Sequence, residues 1–307
     1  MILVLIQIVV PILLIAAVAI PTTSRVLKAA ETIATGLYVL AVQLAGLWLD
    51  LPFWIVWLLW FLFAAALLIG WRRRSQGQNR RWMSAIAIAG CAALGLLAGW
   101  VVLIALIGRT PAAGPVIDLA FPLPPGNYLV VNGGNSSIIN AHLETLHPQT
   151  PRQALYRGQS YGVDIIALRR DGRQTIGWQP SNPRDYAIFG TAVLAPCEGR
   201  VIQSRDDRPD MMVPIPDENV MEGNHVVLRC GSVHVLLAHF RRGSVLVRAG
   251  ALVRKGQKIG AVGNSGNSGA PHLHIHAQRP GPPDAIFSAN PLPIRLNGHY
   301  PVRGDRL

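Results

Sequence analysis

Apolar residues run almost without interruption through the first third of the chain and then break into short alternating patches. Met1–Ile20, Thr32–Leu49, Phe53–Trp71 and Ser84–Ile107 are the four long apolar runs. Each is long enough to cross about 30 Å of hydrocarbon as a helix. Helices buried in a soluble protein are interrupted by a polar face, and these are not. The pattern predicts a membrane all-α anchor of four transmembrane helices over residues 1–107. Met1–Ile20 also carries small residues (Ala16, Ala17, Ala19) of the kind that precede a signal cleavage site, but no basic start, so it is expected to remain as a span.

Residues 108–125 are rich in proline, glycine and alanine and read as a linker. From residue 126 to 307 no long helical period appears. Short β-type runs separated by turn residues predict strands at Tyr128–Asn132, Tyr161–Leu168, Thr191–Pro196, Arg200–Ser204, His225–Arg229, Val233–Ala238, Lys258–Val262 and Leu273–Gln278. They imply an all-β domain built on a curved, mostly antiparallel sheet. Asp206–Glu222, with its prolines and acids, reads as an excursion loop at the rim of a groove.

Charge adds an orientation. Arg72, Arg73, Arg74, Arg80 and Arg81 fill the connection between the third and fourth spans, Arg25 and Lys28 lie between the first and second, and only Asp50 lies between the second and third. Basic loops stay cytoplasmic, which predicts a multi-pass protein of the cell membrane with both termini and the C-terminal domain outside. A short arginine-rich loop between spans is a topology signal, so no nucleic-acid partner is expected. Residues 108–307 hold 21 Lys+Arg and 14 Asp+Glu, a net +7 of the chain's +12. A basic domain beside the membrane suits anionic surfaces, acidic lipid or wall polymer. Cys197 and Cys230 fall in that domain, where a disulfide is permitted if the geometry allows it.

The chemistry concentrates near the end. In a strand, His272-Leu273-His274 projects two imidazoles to one side and a leucine into the core. A glycine-rich loop, Gly263–Gly269, precedes it, His239 ends an earlier apolar run, and Gly162-Val163-Asp164 enters another. Imidazoles and a carboxylate drawn together are the raw material of a zinc site with a base beside it.

In this order, Gly162-Val163-Asp164, Leu237-Ala238-His239, the glycine loop and Pro271-His272-Leu273-His274 resemble the lysostaphin-like (LytM-type) zinc metalloendopeptidases, which cleave peptidoglycan peptides. The resemblance covers roughly 127–278 and is most specific from Val233 to His276. It implies a LytM-type sheet, a Zn2+ cofactor held by Asp164 and His274, and His272 and His239 as catalytic imidazoles. These would handle the proton of the attacking water and the developing oxyanion, with a protonated His239 assisting the latter. The family's usual first ligand, a histidine four residues before the aspartate, is replaced by Ser160. A hydroxyl is a poor zinc ligand. His142 is the candidate replacement and His147 the reserve. Asn264, Ser265, His225 and His276 are candidate substrate contacts, and His234 is expected on the face opposite His239, in a structural role.

The implied function is a membrane-anchored zinc endopeptidase cutting peptidoglycan peptides outside the cytoplasmic membrane. Its expected partners are those peptides, cytoplasmic membrane lipid and proteins recruited through the transmembrane helices. A catalytically degenerate domain that binds wall or regulates another hydrolase without metal is the alternative. A transport or assembly subunit is weaker, because the spans carry almost no ionisable residues.

Overall fold

The structure is a computed structural model that describes residues 2–49, 51–72, 81–282 and 285–307. The chain divides into two compact units, Met1–Ile107 and Gly108–Leu307.

The first unit holds helices at Ile2–Ala19, Arg25–Ala45, Ile55–Arg72 and Arg81–Ile107, all four long and apolar enough to cross a membrane. Trp57, Phe61 and Leu96 are largely exposed on its surface, which suits hydrocarbon better than water. The second helix starts seven residues before the apolar run that predicted it, so Arg25 and Lys28 belong to its first turns, not to a loop. Two local interactions account for this. Ser24 caps the helix by accepting from the Leu27 amide, and the Lys28 amine is satisfied by the Val18 and Ile20 carbonyls and by Glu31. Asp50, Arg73, Arg74 and Arg80 lie outside the described residues, as does the side chain of Arg81.

The second unit is mostly antiparallel β. Its strands are β1 (Ile117–Leu119), β2 (Tyr128–Asn132), β3 (Val163–Ala167), β4 (Ala192–Leu194), β5 (Gly199–Arg205), β6 (Asn224–Cys230), β7 (Val233–Phe240), β8 (Leu252–Val253), β9 (Lys258–Ala261), β10 (Leu273–Gln278), β11 (Pro291–Leu292) and β12 (Ile294–Leu296). The main sheet runs β2-β3-β10-β7-β6-β5-β8, with β11 added to β10. Every pairing within it is antiparallel. Alternation along the central strands separates two faces. Val163, Ile165, Val235, Leu237, Leu273 and Ile275 point into one continuous core. The opposite face of the same strands carries Asp164, His274 and His276 together with a smaller apolar cluster that includes Leu236 and Ala238.

Each predicted strand is present. The short strands β1, β8, β11 and β12 escaped the sequence because two or three residues carry no period. One of them corrects the linker: the 108–125 segment is folded onto this unit, with β1 pairing in parallel with β12 and both Leu119 and Leu123 buried in the core. Cys197 and Cys230 form a disulfide, their Cα atoms 5.9 Å apart.

Candidate metal centre and active site

Strands β3, β10 and β7 lie side by side and assemble the site. With Leu273 and Ile275 in the core, His274 and His276 occupy the other face of β10. The register sets His274 opposite Asp164 of β3 and opposite Ala238 of β7. Nδ1 of His274 is 2.8 Å from Oδ1 of Asp164, and Nε2 of His142 is 3.0 Å from Oδ2. The donor atoms of His142, Asp164 and His274 all lie within 4.8 Å of one another. His142 therefore reaches the group, whereas His147 stands exposed away from it.

His142 sits on a 3-10 turn, Ala141–Thr145, held to β3 by side chains. Asn140 caps the turn, accepting from the His142 amide at 3.2 Å while its own amide donates to the Gly134 and Gly162 carbonyls. The Thr145 hydroxyl donates to the His142 carbonyl, and the buried Ser160 hydroxyl lies 2.9 Å from Thr145 Oγ1. Ser160 thus supports the turn instead of facing the cluster. Gly162 leaves room for the rings: a Cβ there would stand 2.6 Å from Cε1 of His274 and 3.1 Å from Cδ2 of His142.

Asp164 is held from behind. The Asn132 side-chain amide donates to its Oδ2 at 2.9 Å, and Asn132 Oδ1 accepts from Arg303 at 2.9 Å. Arg303 is buried and also donates to the Val131 and Ile138 carbonyls. Burial alone would raise the Asp164 pKa, but the charges of His142 and His272 and hydrogen bonds from His142 and His274 hold it well below the usual carboxylate value. Burial, opposed by the bond to Asp164 and reinforced by His142, pushes His274 down to about 4. His142 moves the other way: burial lowers it, and the charge and hydrogen bond of Asp164 more than compensate. An ionised carboxylate beside a neutral imidazole is a donor set for a borderline cation.

Two further imidazoles face this group. His272 Nδ1 is 2.8 Å from the Ala270 carbonyl, and His239 Nδ1 is 2.8 Å from the Ser265 carbonyl. With each Nδ1–H given to a carbonyl, the Nε2 lone pairs are free on the site side. Nε2 of His272 is 3.6 Å from Oδ1 of Asp164, and the His239 and His272 ring centroids are 4.6 Å apart. His239 reaches the site through a β-bulge. Asn224 pairs with Phe240 and Val226 with Leu237, leaving an extra residue on β7, and His239 takes φ 63°. A bulge re-aims a side chain. The predicted opposition of His234 and His239 fails for this reason, since strand parity puts His234 on the face of Leu236 and Ala238. Burial, then the charges of His272 and His274, keep the His239 pKa well below that of free imidazole.

The expected substrate contacts divide. His276 lines a cavity of about 230 Å³ that includes His142, Asp164, His272 and His274. Asn264 and Ser265 do not line it: both are fully buried, with Asn264 donating to the Met211 carbonyl and Ser265 to that of Phe240. Their polar groups satisfy the loop's own backbone. His225 is also fully buried, its Nδ1 bonded to the Gly223 carbonyl and its ring edge-on to Phe287. The excursion loop does supply the rim, through Met221 and Glu222. Sequence reasoning passed over Asn132, Asn140, Glu222 and Arg303. Arg303 gives no sequence signal, lying far downstream in the tail. Asn132 and Asn140 stand within the polar stretch that ends at His142, where asparagine is the usual capping residue.

Residues 182–284 match the family model described as Peptidase family M23. The matched segment contains His239, His272 and His274 and begins after His142 and Asp164. The chain is 29% identical over 173 residues to a protein of Haemophilus influenzae named "Uncharacterized metalloprotease", covering 56% of this chain and 33% of that one. It is 30% identical over 112 residues to the peptidoglycan DD-endopeptidase ShyA of Vibrio cholerae, covering 36% of this chain and 23% of that one. The chain thus spans a third or less of these relatives. Among solved structures, the catalytic domain of lysostaphin from Staphylococcus simulans aligns at 22% identity and TM-score 0.27, over 41% of this chain and 71% of that one.

Proposed function

We propose that the chain is a membrane-anchored, zinc-dependent endopeptidase that hydrolyses peptide bonds of peptidoglycan outside the cytoplasmic membrane. The observation that carries it is the convergence of His142, Asp164 and His274 on one point, faced by two imidazoles whose Nε2 atoms are free. Three protein ligands of mixed N and O type with an open side suit a catalytic zinc. The peptidoglycan substrate rests on relatives bearing that activity in their names, ShyA and ShyB.

His142, Asp164 and His274 would hold the cation, which when bound supplies Lewis acidity toward water and the scissile carbonyl. His272, steadied by its bond to the Ala270 carbonyl, accepts the proton of the attacking water at Nε2 and returns it to the leaving amine. His239, fixed by the Ser265 carbonyl, places a second acceptor on the same side and orients the water. Asn132 and Arg303 keep Asp164 in place through the transfer. The four apolar helices serve as the anchor. The arginines between the third and fourth put that loop in the cytoplasm and the M23 domain outside, and the Cys197–Cys230 disulfide agrees with an oxidising exterior.

The test uses the full-length protein in detergent micelles with purified peptidoglycan sacculi, following released peptides by mass spectrometry. Release is expected to stop on chelation and to return with zinc. His272→Ala is expected to keep one bound zinc and lose roughly 10²–10⁴-fold in rate. Undiminished release by His272→Ala, or release indifferent to chelation, overturns the reading.

A further inference from the structure

Positive charge is segregated within the C-terminal unit. From Gly223 to Pro283 the chain carries eight Lys and Arg and no Asp or Glu. The rest of residues 108–307 carries 13 basic and 14 acidic residues, so the unit's net +7 is +8 in this stretch and −1 everywhere else. Arg229, Arg248, Arg254, Lys255 and Lys258 of the stretch are all exposed. A solvated surface of no particular use mixes the two signs; a one-sign surface attracts the opposite charge.

The sheet register gathers part of this charge at the β8 edge, away from the metal-ligand group. Arg200 of β5 pairs with Arg229 of β6 on one side and with Leu252 of β8 on the other. Directly opposed residues share a face, and Val201, Leu228 and Val253 occupy the core, so Arg200, Arg229 and Leu252 stand together on the face turned away from it. All three are exposed, Leu252 at 72%. With Arg254 they line an open cavity of about 560 Å³, to which Glu198 contributes the acid. Among the described residues none of these three arginines forms an ion pair. Arg200 Nη1 instead donates to the Gly250 carbonyl at 2.9 Å and so holds the preceding loop beside the edge. In that loop Val245 and Val247 pack on the core, while Leu246 and Arg248 are exposed, Leu246 at 62%. Like charges placed directly opposite repel, and an anion seated between them relieves the repulsion. The guanidinium fork suits phosphate oxygens in particular.

We propose that this edge is a membrane-contact face: Arg200, Arg229, Arg248 and Arg254 bind the phosphates of anionic phospholipids, and Leu246 and Leu252 enter the headgroup–acyl boundary between them. Exposed aliphatic side chains set among cations are the signature of an interfacial binder, whereas a hydrophilic wall polymer has no use for the leucines. Gly108 follows directly on the last apolar helix, so chain connectivity keeps a bilayer crossed by those helices at high effective concentration for the domain, and weak individual contacts suffice. The contact limits how far the domain strays from the lipid surface. It goes beyond the endopeptidase reading, sharing with it the membrane anchor and none of the metal chemistry.

The test uses the full-length protein in nanodiscs of phosphatidylcholine alone or of phosphatidylcholine and phosphatidylglycerol in equal parts. A fluorophore is attached at Ala249→Cys, an exposed position in the same loop, in a Cys91→Ala background that removes the free thiol. Quenching by a nitroxide-bearing lipid is expected in the discs with phosphatidylglycerol and not in those without, and is expected to fade as salt is raised. Lipid composition alters only the ligand, so this arm stands whatever a substitution does to folding. Changing Arg200, Arg229 and Arg254 together to Gln is expected to weaken the contact roughly 100-fold, returning quenching to the phosphatidylcholine level. Leu252→Ser, which keeps every charge, is expected to weaken it about 10-fold. Equal quenching in the two kinds of disc, no quenching in either, or quenching that survives the triple change each overturns the face. A fluorophore that responds to soluble polyphosphate as it does to phosphatidylglycerol, indifferent to Leu252→Ser, assigns the edge to an anionic polymer and also overturns the proposal. A chain that makes the lipid contact yet releases no peptide from sacculi supports the face and refutes the endopeptidase reading, so the two failures are distinct.

Discussion

Gly162→Ala is the most incisive single change, because one methyl group touches two of the three candidate ligands. Its Cβ would stand 2.6 Å from Cε1 of His274, 2.8 Å from the Gln159 carbonyl oxygen and 3.1 Å from Cδ2 of His142. Comfortable carbon contacts lie at about 3.5–4.0 Å, so the His274 ring would have to retreat by about 1 Å. His142 is half-buried and can give way. His274 cannot easily do so, being tied to Asp164 at 2.8 Å and to His276 at 2.9 Å. Displacements near 1 Å cost an active site on the order of 100-fold, and a positioned site tolerates about 0.5 Å. Zinc affinity, measured by competition with a chelating dye, is expected to fall at least about 100-fold. The fold pays less: overpacking costs about 1–3 kcal/mol, a drop of roughly 2–12 °C in the melting temperature of a unit this size. Gly269→Ala is the control, since its Cβ would meet only the Pro214 carbonyl oxygen at 3.9 Å. Wild-type zinc affinity in Gly162→Ala would refute the claim that this glycine exists to let the two rings close on a common point.

Replacing Asn132 with Leu removes the donor to Asp164 Oδ2 and is expected to weaken zinc binding by about 10–100-fold, read by the same competition. Arg303→Met should weaken zinc in the same direction and also destabilise the unit by several kcal/mol in denaturant titration, because the Val131 and Ile138 carbonyls lose a charged donor. Changing both Cys197 and Cys230 to Ala releases a closure spanning 33 residues and is expected to cost roughly 3–4 kcal/mol, seen as a lower melting temperature that matches that of the reduced wild type. His142→Ala should remove stoichiometric zinc while Ser160→Ala does so only weakly, since Ser160 acts through Thr145; equal losses would contradict that order.

What could be read from the chain followed from period and spacing. Strand alternation alone placed His272, His274 and His276 on one side and Leu273 in the core, and the four long apolar helices followed from uninterrupted apolar runs. Three features resisted. His239 gains its direction from a bulge and a positive φ, and a residue count along a regular strand inverts it. Asn264 and Ser265 sit in a loop that reads as ligand-facing, but a tight loop consumes its own polar side chains before it offers any to a ligand. Arg303 contacts Asn132 across 171 positions, and no local signal announces so distant a pairing.

The placement of His142 shows how the chain supports a candidate ligand remote in sequence. Position 160, four residues from Asp164, would be positioned by the strand entry itself, whereas His142 is 22 residues away. By the logarithmic dependence of loop closure, lengthening the connection from four to 22 residues costs only about 1.5 kcal/mol in chain entropy. Two buried hydrogen bonds from Asn140, one to Gly162 beside Asp164, are of a size to offset it at about 1 kcal/mol each. Thr145 and Ser160 then fix the turn's far end, so the serine that occupies the nearer position helps hold the imidazole that reaches the site. Entropy therefore places little limit on where in the sequence a ligand originates. The buried polar bonds that fix its last turn decide whether it arrives.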